Sequence, residues 1–204
     1  NYDMLKTFRE SLCAGILITI GGTVFLSCEN KTVGAVLFSV ALLCICYKSY
    51  YLFTGKIGYI VEQHTKQDFL NLDVGLFGNL AATFLFGMLL RTVLPNIGEK
   101  AAEMCSAKLA QFPLYTFIRG FFCGILMYLA VSIYKEKNSV LGILFCVPVF
   151  ILCGFEHSIA DMFYLGASGI FSVKIILFTA LVVAGNTFGA MVLPLLKGVH
   201  TDEK

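Results

Sequence analysis

Glu156 and His157 stand side by side in the stretch GFEHSIADMFYLG (154–166), with Ser158 and Asp161 close behind. An adjacent carboxylate and imidazole can hold a proton, move one, or orient a small polar solute. Residues 140–153, just before them, form an apolar run broken only by Gly142 and Pro148. If that run is buried in a membrane, two ionisable groups and a serine lie near mid-depth. A carboxylate there costs about 2.5–3.5 kcal/mol on insertion scales, and groups kept at that cost are usually functional. Taken alone, the pair could instead cap a helix inside a bundle.

The composition supplies the membrane. Of 204 residues, 58% are hydrophobic and 14% charged, against about half and about a quarter in soluble domains. The chain therefore reads as an integral membrane protein. A net charge of +2 with no basic tract among aromatics excludes a nucleic-acid surface. Six of the eight cysteines lie inside apolar runs and act there as small hydrophobes. Cys28 and Cys105 fall near span ends, where a disulfide is conceivable. His64 sits in a loop and His200 at the tail, which leaves one histidine at membrane depth. Neither HExxH nor GxSxG occurs, so an intramembrane enzyme is disfavoured, and no metal or cofactor is expected.

Six stretches reach the roughly 20 residues that a span requires: 11–27, 33–54, 72–94, 114–134, 139–164 and 170–196. Six crossings put both termini on one side. Lys6, Arg9, Lys66, Lys135, Lys137, Lys197 and Lys204 fall on that side, against Lys31, Arg91, Lys100 and Lys108 on the other. Seven against four favours cytoplasmic termini, in a multi-pass protein of the cell (inner) membrane. The longest loop, 95–113, is bounded by prolines and reads as holding a short helix over 98–109.

That loop divides two similar halves, about 7–94 and 114–197, of one six-span domain. Thr7-Phe8 and Gly15-Ile16-Leu17 recur 109 residues later as Thr116-Phe117 and Gly124-Ile125-Leu126. Gly78-Asn79 recurs 107 later as Gly185-Asn186, and Phe53-Thr54-Gly55 faces Phe155-Glu156-His157 at 102. An odd number of spans per half inverts the second copy, the pattern of inverted-repeat transporters. The second and fifth spans carry irregular polar sequence: Thr54, Gly55, Lys56 and Gly58 in one, Gly154 to Asp161 in the other. Such breaks survive in a membrane only when buried or lining a water path. Their helix N-termini suit an anion. Thr54 and His157 are expected to meet there from opposite halves.

At this point the residues resemble the formate/nitrite transporter family. GFEHSIADM is similar to its GFEHSxANM signature, and Leu52 to Gly55 (LFTG) to its LFTGN loop. The two Gly-Asn pairs match its third and sixth spans, and FIRGFFCGIL (117–126) resembles FLRGxxCN. The likeness covers about 8–196. It implies an all-α, aquaporin-like membrane fold of six helices in two inverted three-helix repeats. The second and fifth helices are broken, and five protomers with separate pores form a homo-pentamer in the lipid bilayer. The implied cargo is a small monovalent anion with its proton: formate, nitrite or hydrosulfide. On this resemblance His157 is the central histidine and Thr54 the loop threonine. Phe38, Leu42, Phe53, Phe150 and Val131 form apolar constrictions, and Lys108 attracts the anion into a vestibule. Gly55, Ser158, Asn79, Asn186 and Glu156 serve as scaffold, with Glu156 tying the loop backbone.

Tyr51, Lys56, Tyr128 and Asp161 depart from the family pattern. A bare anion loses hydration at an apolar ring, whereas its acid carries no charge. The expected route is therefore attraction to Lys108, then passage as the neutral acid, with the proton from water or His157. No arginine is expected near the site; Lys48, Arg119 and Lys174 read as snorkelling or subunit-interface residues. An aquaporin-like neutral-solute channel would want two NPA-like loops and a pore arginine, which this chain lacks.

Overall fold

The computed structural model describes residues 2–198; His200 and Lys204 lie outside the described residues. The helices are α1 (Tyr2–Ser27), α2 (Lys31–Lys48), α3 (Phe53–Lys56) with a 3-10 turn (Ile57–Val61), and α4 (Lys66–Val93). They continue with α5 (Pro95–Leu109), α6 (Pro113–Lys137), α7 (Leu141–Leu152), α8 (Ser158–Ser168) and α9 (Lys174–Lys197). Local chemistry sets several ends. The Asn30 side chain accepts from Val33 N to start α2, and Thr65 with Asp68 forms a reciprocal capping box on α4. Pro95 and Pro113 open α5 and α6, where a missing N–H leaves nothing unpaired. Pro95 therefore starts the connecting helix three residues before the expected 98.

Among the described residues, five helices, α1, α2, α4, α6 and α9, are long and apolar enough to cross a membrane unaided. The stretch expected as a fifth span is two short helices, α7 and α8, of 12 and 11 residues. Between them Gly154 adopts φ +71°, a left-handed turn that a side chain would strain. The break in the second stretch falls earlier than expected. Helix α2 ends at Ser49 (φ 55°), the chain runs non-helically to Leu52, and Thr54, Gly55 and Lys56 belong to the helical turn after it. Phe77, Leu85, Phe145 and Ile176 stay more than 60% exposed on the outer faces. Such a surface suits lipid or a neighbouring subunit rather than water.

The long helices approach closely through small residues. A methyl group on Gly15 of α1 would come within 2.6 Å of the Ala82 side chain on α4, and one on Gly120 of α6 within 3.0 Å of the Val182 carbonyl on α9. The short pieces are exchanged between halves: α8 packs on α4 and α5, the 3-10 turn packs on α9, and α2 lies against α7.

Two asparagines hold the broken backbone. Asn79 Nδ2 donates to Ser11 O (2.8 Å) and Tyr51 O (2.9 Å), while its Oδ1 accepts from Phe53 N (2.8 Å). Asn186 Nδ2 donates to Gly120 O (2.8 Å) and Glu156 O (2.9 Å), and its Oδ1 accepts from Ser158 N (2.9 Å). The pattern is the same in each half, at separations of 109 (Ser11 to Gly120), 107 (Asn79 to Asn186) and 105 (Phe53 to Ser158). The register at the breaks is thus 105 rather than 102, and Leu52 corresponds to His157. Both are helix N-cap positions. The match of Phe53 with Phe155 misled because each asparagine reads peptide groups, not side chains. All eight cysteines are free, Cys28 and Cys105 included.

Replacing Asn186 with leucine strands three buried peptide groups, each costing about 1–3 kcal/mol. The expected result is a clear fall in the Tm of the detergent-solubilised protein, and Asn79→Leu should do the same. An unchanged Tm in both would mean that the breaks are held by something else.

Candidate functional site

His157 opens α8 as its N-cap, and its Nδ1 accepts from Ala160 N at 3.0 Å. That contact occupies the Nδ1 lone pair, so the proton of a neutral ring sits on Nε2. Nε2 lies 2.9 Å from Thr54 Oγ1, in the first turn after the other break. The two residues expected to meet from opposite halves are in direct hydrogen bond. Phe150 stacks on the imidazole, with centroids 5.5 Å apart and planes 22° apart, and Phe38 stands edge-on to Phe150 at 6.2 Å.

Two cavities border this contact or its immediate neighbours. The larger, about 440 Å³, is lined by Lys108, Arg119, Phe150, Glu156, His157 and Asp161 among others. The smaller, about 130 Å³, is lined by Leu42, Leu52, Gly55, Lys56, Val131 and Lys135 among others. They share no lining residue. His157 borders the first and Gly55, next to Thr54, the second, so the Thr54–His157 contact lies between them. Gly55 has Val131 Cγ2 3.1 Å from where its Cβ would stand. Of the expected constriction residues, Phe150, Leu42 and Val131 border a cavity. Phe38 and Phe53 border neither. Phe53 packs into a separate apolar cluster with Ile57, Ile60, Leu72 and Ala190.

Lys108, in the last turn of α5, reaches Glu156 Oε2 at 2.5 Å and Asp161 Oδ1 at 3.0 Å. Gln111 Nε2 donates to the other Glu156 oxygen at 3.0 Å. This corrects the role expected of Glu156. Its side chain binds Lys108 and Gln111, and the loop backbone is tied instead by Asn186 and by the Glu156 N–H to Arg119 O bond (3.2 Å). The reason is tertiary: α5 folds onto α8 and brings its own polar end over the carboxylates. Burial works against the charge on Lys108, but Asp161 and Glu156 outweigh it and hold its pKa above the ordinary lysine value.

Arg119 and Lys31 also line the larger cavity, contrary to the expectation of no arginine near the site. With Lys108 they set three cations against the carboxyls of Glu156 and Asp161. Ser158 serves through its backbone N–H on Asn186, and its buried hydroxyl has no partner among the described residues. Lys56 lies over the Tyr51 ring at 5.6 Å, and Tyr128 packs against Tyr59 at 5.6 Å. Three departures from the family pattern, Tyr51, Lys56 and Tyr128, thereby find partners in aromatic contacts. Gln111 and Lys31 were not readable as site residues, since nothing in their neighbours sets them apart, whereas Arg119 carried a signal in its place within the stretch FIRG that resembles the family's FLRG. Asp161 carried a signal, its deviation from the signature.

The model of the family described as formate/nitrite transporter matches residues 1–197. The chain belongs to that family. It is 28% identical over 179 residues to the uncharacterized transporter YwcJ of Bacillus subtilis, an overlap of 78% of this chain and 70% of that protein. It is 26% identical over 187 residues to the formate channel FocA of Escherichia coli K12, covering 78% of this chain and 65% of FocA. The chain thus spans about two thirds of the length of these relatives. Two solved structures share its fold. A pentameric formate channel with formate bound gives a TM-score of 0.79 at 24% identity, covering 93% and 94% of the two chains. An FNT family ion channel gives 0.75 at 19% identity, covering 95% and 87%. Family membership makes this a multi-pass membrane transporter or channel rather than an enzyme.

Removing Lys108 leaves its carboxyl partners buried without their counter-charge. Lys108→Met is expected to destabilise the protein by about 3–5 kcal/mol. The same change in a Glu156→Gln, Asp161→Asn background should cost far less. A double-mutant cycle on thermal unfolding measures the difference, and equal costs in both backgrounds would refute the buried ion cluster.

Proposed function

We propose that this family member is a channel or secondary transporter for a small monovalent anion or its conjugate weak acid: formate, nitrite or hydrosulfide. The observation that carries this reading is the Thr54–His157 contact between two cavities, beneath a vestibule bearing Lys31, Lys108 and Arg119. A positive vestibule concentrates anions. Phe150, Leu42 and Val131 are apolar and cannot replace the water an anion would shed on passing them, although Lys56 and Lys135 also line the smaller cavity. An anion losing water gains proton affinity, so the species that crosses is the neutral acid.

Transport is then proton-linked, because the solute passes with its proton. His157 Nε2–H donates to the solute's oxygen or sulfur, and the Thr54 hydroxyl takes part in the exchange. Loading a second proton on the ring requires Nδ1 to release Ala160 N–H, which favours His157 as a fixed donor over a freely titrating relay. The remaining elements of the reading follow the family and the charge bias. Residues 1–204 form one membrane domain, with halves 7–94 and 114–197 joined by 95–113. The breaks of the second and fifth spans face each other, both termini lie in the cytoplasm, and the protein sits in the inner cell membrane as a homo-pentamer. The relative FocA is named a formate channel, and a solved neighbour is a pentamer with formate bound. Both support formate as the first solute to test.

Asparagine caps helices well, so His157→Asn keeps the start of α8 while removing the imidazole donor. In proteoliposomes the variant should lose proton-linked formate uptake, by about tenfold or more, as expected for one lost hydrogen bond of about 1.4 kcal/mol. Uptake equal to that of the unaltered protein would sink the role of His157.

A further inference from the structure

Lys56 and Lys135 are the charged side chains of the smaller cavity, and no carboxylate borders it among the described residues. Lys56 ends α3 and is half-buried, while Lys135 lies exposed in the last turn of α6. Neither amine has a carboxylate within 4 Å among the described residues. Each head group rests instead on a tyrosine. Lys56 lies 5.6 Å from the centre of the Tyr51 ring and Lys135 4.0 Å from that of Tyr59. An aromatic face holds an ammonium in place without neutralising it. The two lysines are also near enough for the charge of one to act on the other. Two such charges repel, and an anion between them relieves the repulsion.

The helices put these lysines at the opposite end of the pathway from Lys108. The larger cavity borders Lys31, the first residue of α2, whereas the smaller borders Ile45 and Cys46 in its last turn. That helix has 18 residues, a length of about 27 Å. Helix α6 repeats the placement, with Arg119 near its start at the larger cavity and Lys135 near its end at the smaller. Lys56 and Lys135 also border a third cavity of about 370 Å³, so they stand between it and the smaller one. There Glu62 and Asp68 balance them, and Asp68 accepts from Thr65 N at 2.8 Å. In the smaller cavity their charge is unbalanced.

The family motifs sharpen the contrast. Lys56 stands where LFTGN has asparagine, and Asp161 where GFEHSxANM has it. At the register of 105 these two positions correspond, since Phe53 matches Ser158. Asp161 gives Lys108 a second carboxyl partner at 3.0 Å. Lys56 brings a cation to the other end.

We propose that Lys56 and Lys135 form a second binding site for a small monovalent anion, a monocarboxylate of formate's size, in the smaller cavity. The site rests on the transport reading above and adds a capture point at the mouth on the side of the termini. Its volume, about 130 Å³, is several times the about 10–15 Å³ that one water needs. Ser49, Tyr50 and Tyr134 line it too, and each carries a hydroxyl able to donate. Solute entering from this side binds at the lysines before it meets the Thr54–His157 contact.

Two measurements test the site. In the detergent-solubilised protein, acetylation of Lys56 and Lys135 by acetic anhydride, read by mass spectrometry, should slow severalfold in sodium formate relative to sodium gluconate at equal ionic strength. The exposed Lys66 should keep its rate. Equal rates for Lys56 and Lys135 in the two salts overturn the site. Formate uptake is then compared in right-side-out and everted membrane vesicles, corrected with vesicles lacking the protein, for the unaltered chain and a Lys56→Met, Lys135→Met double variant. Half-saturating formate should rise about tenfold or more for entry from the termini side and stay the same for entry from the other. Transport itself continues, since the LFTGN motif carries no charge at that position. Arginine at both positions should restore the unaltered value. An unchanged value at the termini side, or an equal rise on both sides, overturns the capture role. No formate flux from the unaltered chain would instead sink the transport reading, and protection from acetylation then decides the site by itself.

Discussion

A helix broken inside a membrane frees peptide groups that lipid cannot satisfy, and every feature of this site depends on how that is solved. Here each break is bound by one asparagine side chain from a neighbouring long helix, Asn79 for the first and Asn186 for the second. Each makes three hydrogen bonds with backbone and so fixes the loop, the following helix start and a third helix together. With the breaks fixed, α3 and α8 can aim their first turns at each other, and Thr54 and His157 come within 2.9 Å.

The second constraint is charge. A carboxylate pair so deep would be untenable alone, and the connecting helix α5 supplies the answer by bringing Lys108 and Gln111 onto Glu156 and Asp161. Lys108, which pairs with the cluster, also lines the larger cavity beside Lys31 and Arg119. Structure and function thus use one set of groups. The vestibule proposed to attract an anion is also the patch that holds α5 against α8.

The opposition between a charged vestibule and an apolar narrow zone gives the protein its selectivity under the proposed reading. Attraction favours the anion and desolvation favours the acid, so a solute able to exist as both passes both tests. A solute that cannot take a proton stops at Phe150 and Leu42. A permanently neutral solute gains nothing from the cations.

Much of this could be read from residues alone. Composition and six apolar stretches gave the membrane class, and the paired Gly-Asn motifs at a separation of 107 marked the positions that bind the breaks. His157 stood out as an ionisable group after an apolar run, and Thr54 through the internal repeat and the LFTG resemblance. The register of the breaks, the true partners of Glu156, and the presence of Lys31 and Gln111 were not legible. Each depends on where α5 and the long helices lie, and a lysine facing a carboxylate 48 residues away looks in sequence like any loop lysine. The sequence by itself determined which residues are costly to bury. Only the tertiary structure decided which of them neutralise one another, because electrostatic pairing depends on distance in space, and local patterns carry no record of it.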